Sequence, residues 1–184
     1  MKYAISSLQE LKEIIKDYST ISFDLFDTLF FRRVEGYDYR KLQVSKRIAR
    51  CLGDYGVDTN AYEVLFIRNV CFEKSKRITG DEVDYHFFLD CLINHYNITS
   101  NVDETKESIK ITEEDYEKSI IFLNPEAYEI LNFLKMSGKR IIATSDMYLP
   151  ESSVVAILNK LGIDQFFDKL YVSSACNYQT KHTG

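Results

Sequence analysis

Proline and glycine are scarce in this sequence, which has two prolines and seven glycines among 184 residues. Flexible linkers are usually rich in glycine, serine or proline, and none is visible, so we expect one domain with a sizeable insertion or two small domains. No apolar run approaches the ~20 residues that a membrane-spanning helix needs, and the N-terminus lacks the apolar segment of a signal peptide. We therefore expect no membrane insertion and a cytoplasmic location.

Cysteines are few as well, and positive charge is not in excess. The four cysteines are widely spaced and lack the paired spacing of metal ligands, so we predict reduced thiols that mostly fill the core. They are Cys51, Cys71, Cys91 and Cys176. The formal net charge of -5 argues against general binding to nucleic acid or to membrane surfaces.

The most informative stretch is an apolar run near the N-terminus that contains one carboxylate. Residues 20–26 are typical of a short strand buried on both faces, as in a parallel sheet, and Asp24 interrupts this run. A carboxylate is rare in such a strand unless it is paired, metal-bound or catalytic. Ligands of open parallel sheets bind outside the carboxyl ends of the strands, so Asp24 is a candidate functional residue.

Two further strands are predicted after residue 123, each preceded by a helix. Residues 141–145 follow a helix that Gly138 ends, and residues 170–172 follow a helix that Gly162 ends. Alternating strands and helices imply a right-handed parallel unit of an α/β fold. Polar residues lie at or after the ends of these strands: Thr144, Ser145, Asp146 and Lys181.

The residues between the first two strands, from about 35 to 123, have a mostly helical pattern. In a helix at about 60–77, Arg68 falls in the middle of the apolar face. An arginine buried there must find an anion, either a carboxylate of the same helical region or a group of a substrate. The charge run that includes Glu113 and Glu117 is expected to be solvated.

The stretch around Asp24 resembles the first motif of the haloacid dehalogenase (HAD) superfamily, an apolar strand followed by Asp-x-Asp-x-Thr. Asp24 matches the nucleophile and Thr28 the threonine. Phe26 replaces the second Asp, which is the usual acid/base, and Asp27 stands one position later. The stretch is also similar to HAD-like domains of bacterial surface-polysaccharide proteins, whose motif reads much like Phe-Asp-x-Phe-Asp-Thr-Leu.

The second and third motifs of the family have matches in the same order along the chain. Ser145, or alternatively Thr144, matches the hydroxyl residue that binds the transferred phosphoryl group. Lys181 matches the lysine that offsets the negative charge of nucleophile and phosphate. The catalytic residues are therefore expected to be Asp24, Asp27, Ser145 and Lys181. The residues expected to contact the substrate are Thr28, Arg32, Arg68, Thr144 and Asp146.

The resemblance also implies a fold and a division into domains. The fold is α/β, a partial Rossmann-like three-layer core with a parallel sheet and an all-helical cap inserted after the first strand. The core would comprise residues 1–32 and 124–184, and the cap residues 33–123. The sequence ends before the acidic pair of the family's fourth motif, so we expect a truncated chain. Its first strand would be an exposed sheet edge, open to self-association.

The implied activity is hydrolysis of a small phosphorylated metabolite through an aspartyl-phosphate on Asp24. The resemblance implies Mg²⁺, held by the Asp24 carboxylate and the backbone carbonyl of Phe26, although without the fourth motif the ion would be held poorly. Phe26 cannot protonate a leaving group, and the family's dehalogenases carry an aromatic residue there and use no metal. Two alternatives are therefore a metal-independent dehalogenase-like enzyme and a non-catalytic binding or assembly module associated with polysaccharide biosynthesis.

Overall fold

The computed structural model describes residues 8–33, 36–80, 82–178 and 180–181. The helices are α1 (Leu8–Ile15), α2 (Tyr37–Asp54), α3 (Ala61–Thr79), α4 (Tyr85–His95), α5 (Val102–Ile120), α6 (Ala127–Met136) and α7 (Glu151–Leu161). The strands are β1 (Thr20–Asp24), β2 (Phe30–Arg32), β3 (Ile121–Leu123), β4 (Arg140–Ser145) and β5 (Lys169–Val172). This order of elements confirms the predicted α/β fold with a helical insertion after the first strand.

Strands β1, β4 and β5 form a parallel sheet in that order. In its register Asp24 lies beside Thr144, and Ser145 lies beside Val172. The parallel sheet expected from the sequence is therefore confirmed. The carboxyl ends of its strands lie side by side at one end of the sheet, where the functional side chains of such sheets gather.

The two faces of this sheet differ in their cover. Side chains alternate between faces, and in-register neighbours share one. Ile141, Ala143 and Val172 lie on the face that joins the hydrophobic core, against which α6 and α7 pack. Ser22 and Tyr171, on the other face, are exposed. The described helices that touch the sheet thus cover one of its faces.

The helical segment that precedes β3 lies where the cap was predicted. β2 and β3 pair in an antiparallel two-stranded sheet, which the sequence analysis missed because three-residue strands show no clear alternation. Between them run α2 to α5, and the side chains of Asn60 and Asp84 cap α3 and α4 by accepting backbone N–H bonds. The domain boundaries at 33 and 123 stay a prediction. No described helix is both long and apolar enough to cross a membrane.

Cys71 and Cys91 form a disulfide that joins α3 to α4. Their Cα atoms are 5.8 Å apart, within the range that a disulfide spans. The prediction that all four cysteines are reduced thiols is therefore wrong for this pair. The spacing along the chain could not show it, because the contact arises from the packing of two helices. Cys51 and Cys176 are free.

The exposed edge of β1 leads to a prediction about assembly. Within the described residues β1 pairs with β4 alone, so its other side offers unpaired backbone groups to a second chain. We expect self-association at micromolar concentration, and we expect Ser22→Lys to shift the chain toward monomer, because a lysine on an edge strand discourages pairing. Light scattering measures both, with Ser137→Lys, at an exposed site after α6, as the control. A monomeric unchanged chain with fast-exchanging β1 amides would contradict this expectation.

Candidate active site

Asp24 ends β1 and begins a tight loop. Its Oδ1 accepts a hydrogen bond from the Leu25 backbone N–H (2.8 Å). The Leu25 carbonyl accepts in turn from the N–H groups of Leu29 (2.9 Å) and Phe30 (3.3 Å). Asp27 adopts a left-handed conformation with φ 59°, which aspartate tolerates better than most residues. These bonds fix the Asp24 carboxylate at the carboxyl end of the strand.

The loop after Asp24 is tied to the segment before α6. The side-chain Nδ2 of Asn124 donates to the Thr28 carbonyl (3.0 Å), and the Asn124 backbone N–H donates to the Leu29 carbonyl (2.9 Å). Thr28 therefore contributes its backbone to the shape of the loop. Asn124 connects the return of the chain from the helical segment to the residues beside Asp24.

Lys181 reaches Asp24 from 157 residues away in the sequence, and its Nζ lies 2.7 Å from Asp24 Oδ1. The Lys181 backbone N–H donates to Oδ1 of Asp146 (3.0 Å). The side chains of Lys181 and Asp24 are 37% and 42% exposed, so a solute can approach the pair. Three residues singled out from the sequence thus meet at one edge of the sheet.

The two candidate hydroxyls at the end of β4 lie in different surroundings. Thr144 shares the sheet face of Asp24, and its Oγ1 donates to the Phe23 carbonyl (3.3 Å). The Ser145 side chain lies on the opposite face, which the helices cover, and the residue is 3% exposed. Its Oγ has no hydrogen-bond partner among the described residues. Ser145 and Lys181 line the same cavity of about 250 Å³. Ser145 therefore adjoins the cavity that Lys181 also lines, while its hydroxyl oxygen is itself buried.

Arg32 joins the loop after β1 to the helical segment. Its Nε donates to Oε2 of Glu117 (3.0 Å), and its Nη1 lies 3.9 Å from Oδ2 of Asp27. Its guanidinium carbon lies 4.2 Å from the centre of the Phe26 ring, a cation–π contact. Phe26 is therefore an apolar support for Arg32, while the Asp27 side chain remains 73% exposed.

Arg68 is 2% exposed and forms an ion pair with Glu113. Glu113 also accepts a hydrogen bond from the Tyr85 hydroxyl (3.0 Å), and Arg68 Nη2 lies 3.5 Å from the Tyr148 hydroxyl. Burial raises the pKa of the Glu113 carboxyl, and the charge of Arg68 opposes this rise. The anion that Arg68 required is therefore a carboxylate of the helical segment.

This contact corrects one expectation. The charge run on α5 was expected to be solvated, but Glu113 and Glu117 are 0% and 9% exposed, so the expectation is wrong for both. Each carboxylate instead pairs with an arginine, Arg68 or Arg32. Helical spacing turns these two positions toward the rest of the protein, while Asp115 between them remains exposed.

A second cavity, of about 270 Å³, lies between the helical segment and the loop that follows β4. Residues from both sides line it, among them Arg32, Lys41, Arg68, Tyr116, Asp146 and Tyr148. No spacing in the sequence distinguishes Tyr116 and Tyr148 from ordinary helix and core residues. Tyr148, three residues beyond Ser145, is the one whose closeness to a motif could have drawn attention.

The described residues do not fit a magnesium ion. The Asp24 carboxylate and the Phe26 carbonyl would supply two oxygen ligands, and Oδ1 of Asp24 is already paired with Lys181. The described part of the chain holds no cluster of three or more histidine, cysteine, aspartate or glutamate side chains suited to a metal. Mg²⁺ requires near-octahedral oxygen coordination, which two oxygen ligands beside a lysine do not provide.

Neither the known family models nor the curated proteins include a match to this chain. Among solved structures it is similar to a Thermotoga maritima protein assigned as a β-phosphoglucomutase, at 17% identity and a TM-score of 0.47, over 84% of this chain and 61% of that one. It is similar to a predicted phosphoglycolate phosphatase from Haemophilus somnus at 19% identity and a TM-score of 0.44, over 84% and 62%.

A third similar structure is a HAD family hydrolase from Deinococcus radiodurans with bound phosphate and sodium, at 16% identity and a TM-score of 0.41, over 89% of this chain and 61% of that one. The chain spans about three fifths of the length of these structures. Similarity at this level leaves the function to be inferred from the chain's own residues.

Proposed function

We propose that the chain is a HAD-like hydrolase that transfers a phosphoryl group from a small phosphorylated metabolite to Asp24 and then to water. The ion pair between Asp24 and Lys181, at 2.7 Å, is the observation that supports this most. A carboxylate that attacks phosphorus requires nearby positive charge, because negative charge develops on the phosphoryl oxygens. Lys181 supplies that charge at the carboxyl end of the strand.

The reaction would proceed in two steps. A carboxylate oxygen of Asp24 forms a bond to phosphorus while the bond from phosphorus to the leaving oxygen breaks, and Asp27 gives its proton to that oxygen. Water then attacks phosphorus and passes a proton to Asp27, and the bond from phosphorus to Asp24 breaks to release phosphate. Asp27 has the acid/base role because Phe26 carries no proton to give, and Lys181 binds phosphoryl oxygens.

A dehalogenase-like activity is the second candidate, and Phe26 is the residue that favours it. A halide leaves without a proton, so attack of the Asp24 carboxylate on carbon needs no acid at the position of Phe26, and water then hydrolyses the ester formed on Asp24. The contact between Phe26 and Arg32, at 4.2 Å, also places positive charge beside the loop, where a carboxylate of a haloacid could bind. A non-catalytic binding or assembly module is the third candidate function.

One assay separates these functions. We expect the chain to release phosphate from aryl and alkyl phosphates and to release no halide from 2-haloacids. Lys181→Met should lower kcat/KM by about 10²-fold or more, whereas Lys74→Met, at an exposed site on α3, should leave it unchanged. Repeating the assay with Mg²⁺ and with a chelator measures metal dependence. Halide release alone would favour the dehalogenase, and no release of either product would favour the binding module.

A further inference from the structure

The disulfide between Cys71 and Cys91 lies beside a cavity that the proposed hydrolysis does not use. Residues of α3 and α4 line this cavity, and both cysteines are among them. None of its lining residues also lines the cavities of about 250 and 270 Å³ described above. Its volume of about 390 Å³ falls within the ~300–1,000 Å³ of typical small-molecule sites. A small molecule in this cavity would therefore lie next to the disulfide.

The two cysteines differ in their access to solvent. Cys71 is 1% exposed, whereas Cys91 is half-buried. A thiolate breaks a disulfide by attacking one of its two sulfur atoms, so the rate depends on access to that sulfur. A thiol that enters from the cavity can therefore attack Cys91, and Cys71 is then the leaving group.

Other contacts hold α3 and α4 together besides the disulfide. The ring centroids of Phe72 and Phe88 lie 4.6 Å apart. Arg68 of α3 and Tyr85 of α4 both bond to the buried Glu113. None of these contacts involves a sulfur atom, so they should keep the two helices adjacent when the disulfide opens. The thiolate released from the disulfide would then stay beside its former partner, where it can attack again.

We propose that Cys91 is a site of reversible exchange with a low-molecular-weight thiol, and that Cys71 is its resolving cysteine. The sulfur of the small thiolate forms a bond to Sγ of Cys91 while the bond between Cys91 and Cys71 breaks. The electron pair leaves on Sγ of Cys71, which takes a proton from water. This chemistry is independent of the hydrolysis proposed at Asp24.

The mixed disulfide on Cys91 has two routes onward. Attack by the Cys71 thiolate on Sγ of Cys91 releases the small thiol and restores the original disulfide. Attack by a second small thiolate on the sulfur of the first releases a small disulfide and leaves Cys91 as a thiol. By the second route the protein disulfide gains two electrons, and two small thiols are oxidised to supply them.

A matched pair of variants tests which sulfur is open to exchange. Cys71→Ser and Cys91→Ser each lose the same disulfide and each retain one thiol of the pair. With glutathione disulfide as the probe, the thiol of Cys91 should be modified at least about tenfold faster than that of Cys71, because access governs the rate. Mass spectrometry of the separate peptides distinguishes both from the free Cys51 and Cys176, and circular dichroism verifies the fold. Equal rates, or faster modification of Cys71, would overturn the proposal.

The unchanged chain gives a second measurement that needs no variant. After reaction with reduced glutathione and acid quenching, the mixed disulfide should be found on Cys91 and not on Cys71. Replacing reduced glutathione by glutathione disulfide should restore the bond between the two cysteines. Glutathione on Cys71 alone, no mixed disulfide on either cysteine, or two free thiols in the untreated chain would each contradict the proposal.

A pair of bulky substitutions tests whether the thiol arrives through the cavity. Asn94 is exposed and lines the cavity, whereas His86 is exposed on the same helix and does not line it. Asn94→Trp should therefore slow reduction by glutathione at least about threefold, because it restricts access to Cys91, and His86→Trp should leave the rate unchanged. Equal rates in both variants would show that the cavity is not the route and would overturn its part in the exchange.

Discussion

Replacing Asp24 by asparagine is expected to lower phosphate release by at least about 10³-fold, as loss of a catalytic nucleophile does in other enzymes. The amide cannot attack phosphorus as a carboxylate does. The fold should persist, because an amide oxygen can still accept the Leu25 N–H, and the partly exposed ion pair with Lys181 contributes only about 0–1 kcal/mol. Steady-state kinetics and a thermal unfolding midpoint for the same preparation measure the two effects.

The covalent intermediate gives a second measurement of the same prediction. Rapid acid quenching during turnover should leave one phosphoryl group on the peptide that contains Asp24, and mass spectrometry should detect no such group on Asp24→Asn. An unchanged rate for Asp24→Asn, or a phosphoryl group on another peptide, would remove Asp24 from the nucleophile role.

Asp27 allows a matched comparison on the same loop. Asp27→Asn should slow the hydrolysis of alkyl phosphates by about 10²-fold or more, which is the usual size of a general-acid contribution. It should affect aryl phosphates much less in the first step, because a phenolate leaves without a proton. The ratio of the two effects in burst kinetics measures this difference. Equal slowing of both substrates would mean that Asp27 is not the acid.

The parallel sheet could be predicted from local signals, whereas the meeting of Asp24 with Lys181 was expected from the order of motifs that resembles the HAD superfamily. Short apolar runs identified the strands, and parallel pairing then required their carboxyl ends to meet at one edge. Each candidate polar residue stands directly after such a run, or, for Lys181, in the order that the motifs require. Predicting this part of the site did not depend on how the helices pack.

The partners of the buried charges depend on packing and could not be predicted in the same way. Helical periodicity placed Arg68 on an inner face and required an anion for it, but the identity of that anion depends on how α3 meets α5. Nothing in the interval between Arg68 and Glu113 encodes that contact. The disulfide between Cys71 and Cys91 and the pairing of β2 with β3 arise in the same way, from elements that are distant along the chain.

The buried pair of Arg68 and Glu113 should have the largest effect on stability. Arg68→Met or Glu113→Gln is expected to lower the free energy of unfolding by about 3–5 kcal/mol, because either change disrupts a buried ion pair. Among the described residues, Arg68→Met also leaves Glu113 with only its bond from the Tyr85 hydroxyl. Urea unfolding followed by circular dichroism gives the free energies. The exposed pair of Lys110 and Glu107 supplies the control, since Lys110→Met should cost no more than about 1 kcal/mol.

The double variant Arg68→Met with Glu113→Met separates the cost of an unpaired charge from the cost of changed packing. It leaves no charge at this place in the core, and replacement of a whole buried ion pair by apolar side chains is often neutral or stabilising. We therefore expect the double variant to be more stable than Arg68→Met alone, by at least about 1 kcal/mol on the same scale. If its unfolding free energy equals that of Arg68→Met or falls below it, the guanidinium and the carboxylate contribute mainly through shape, and the ion pair is not what stabilises the packing of α3 against α5.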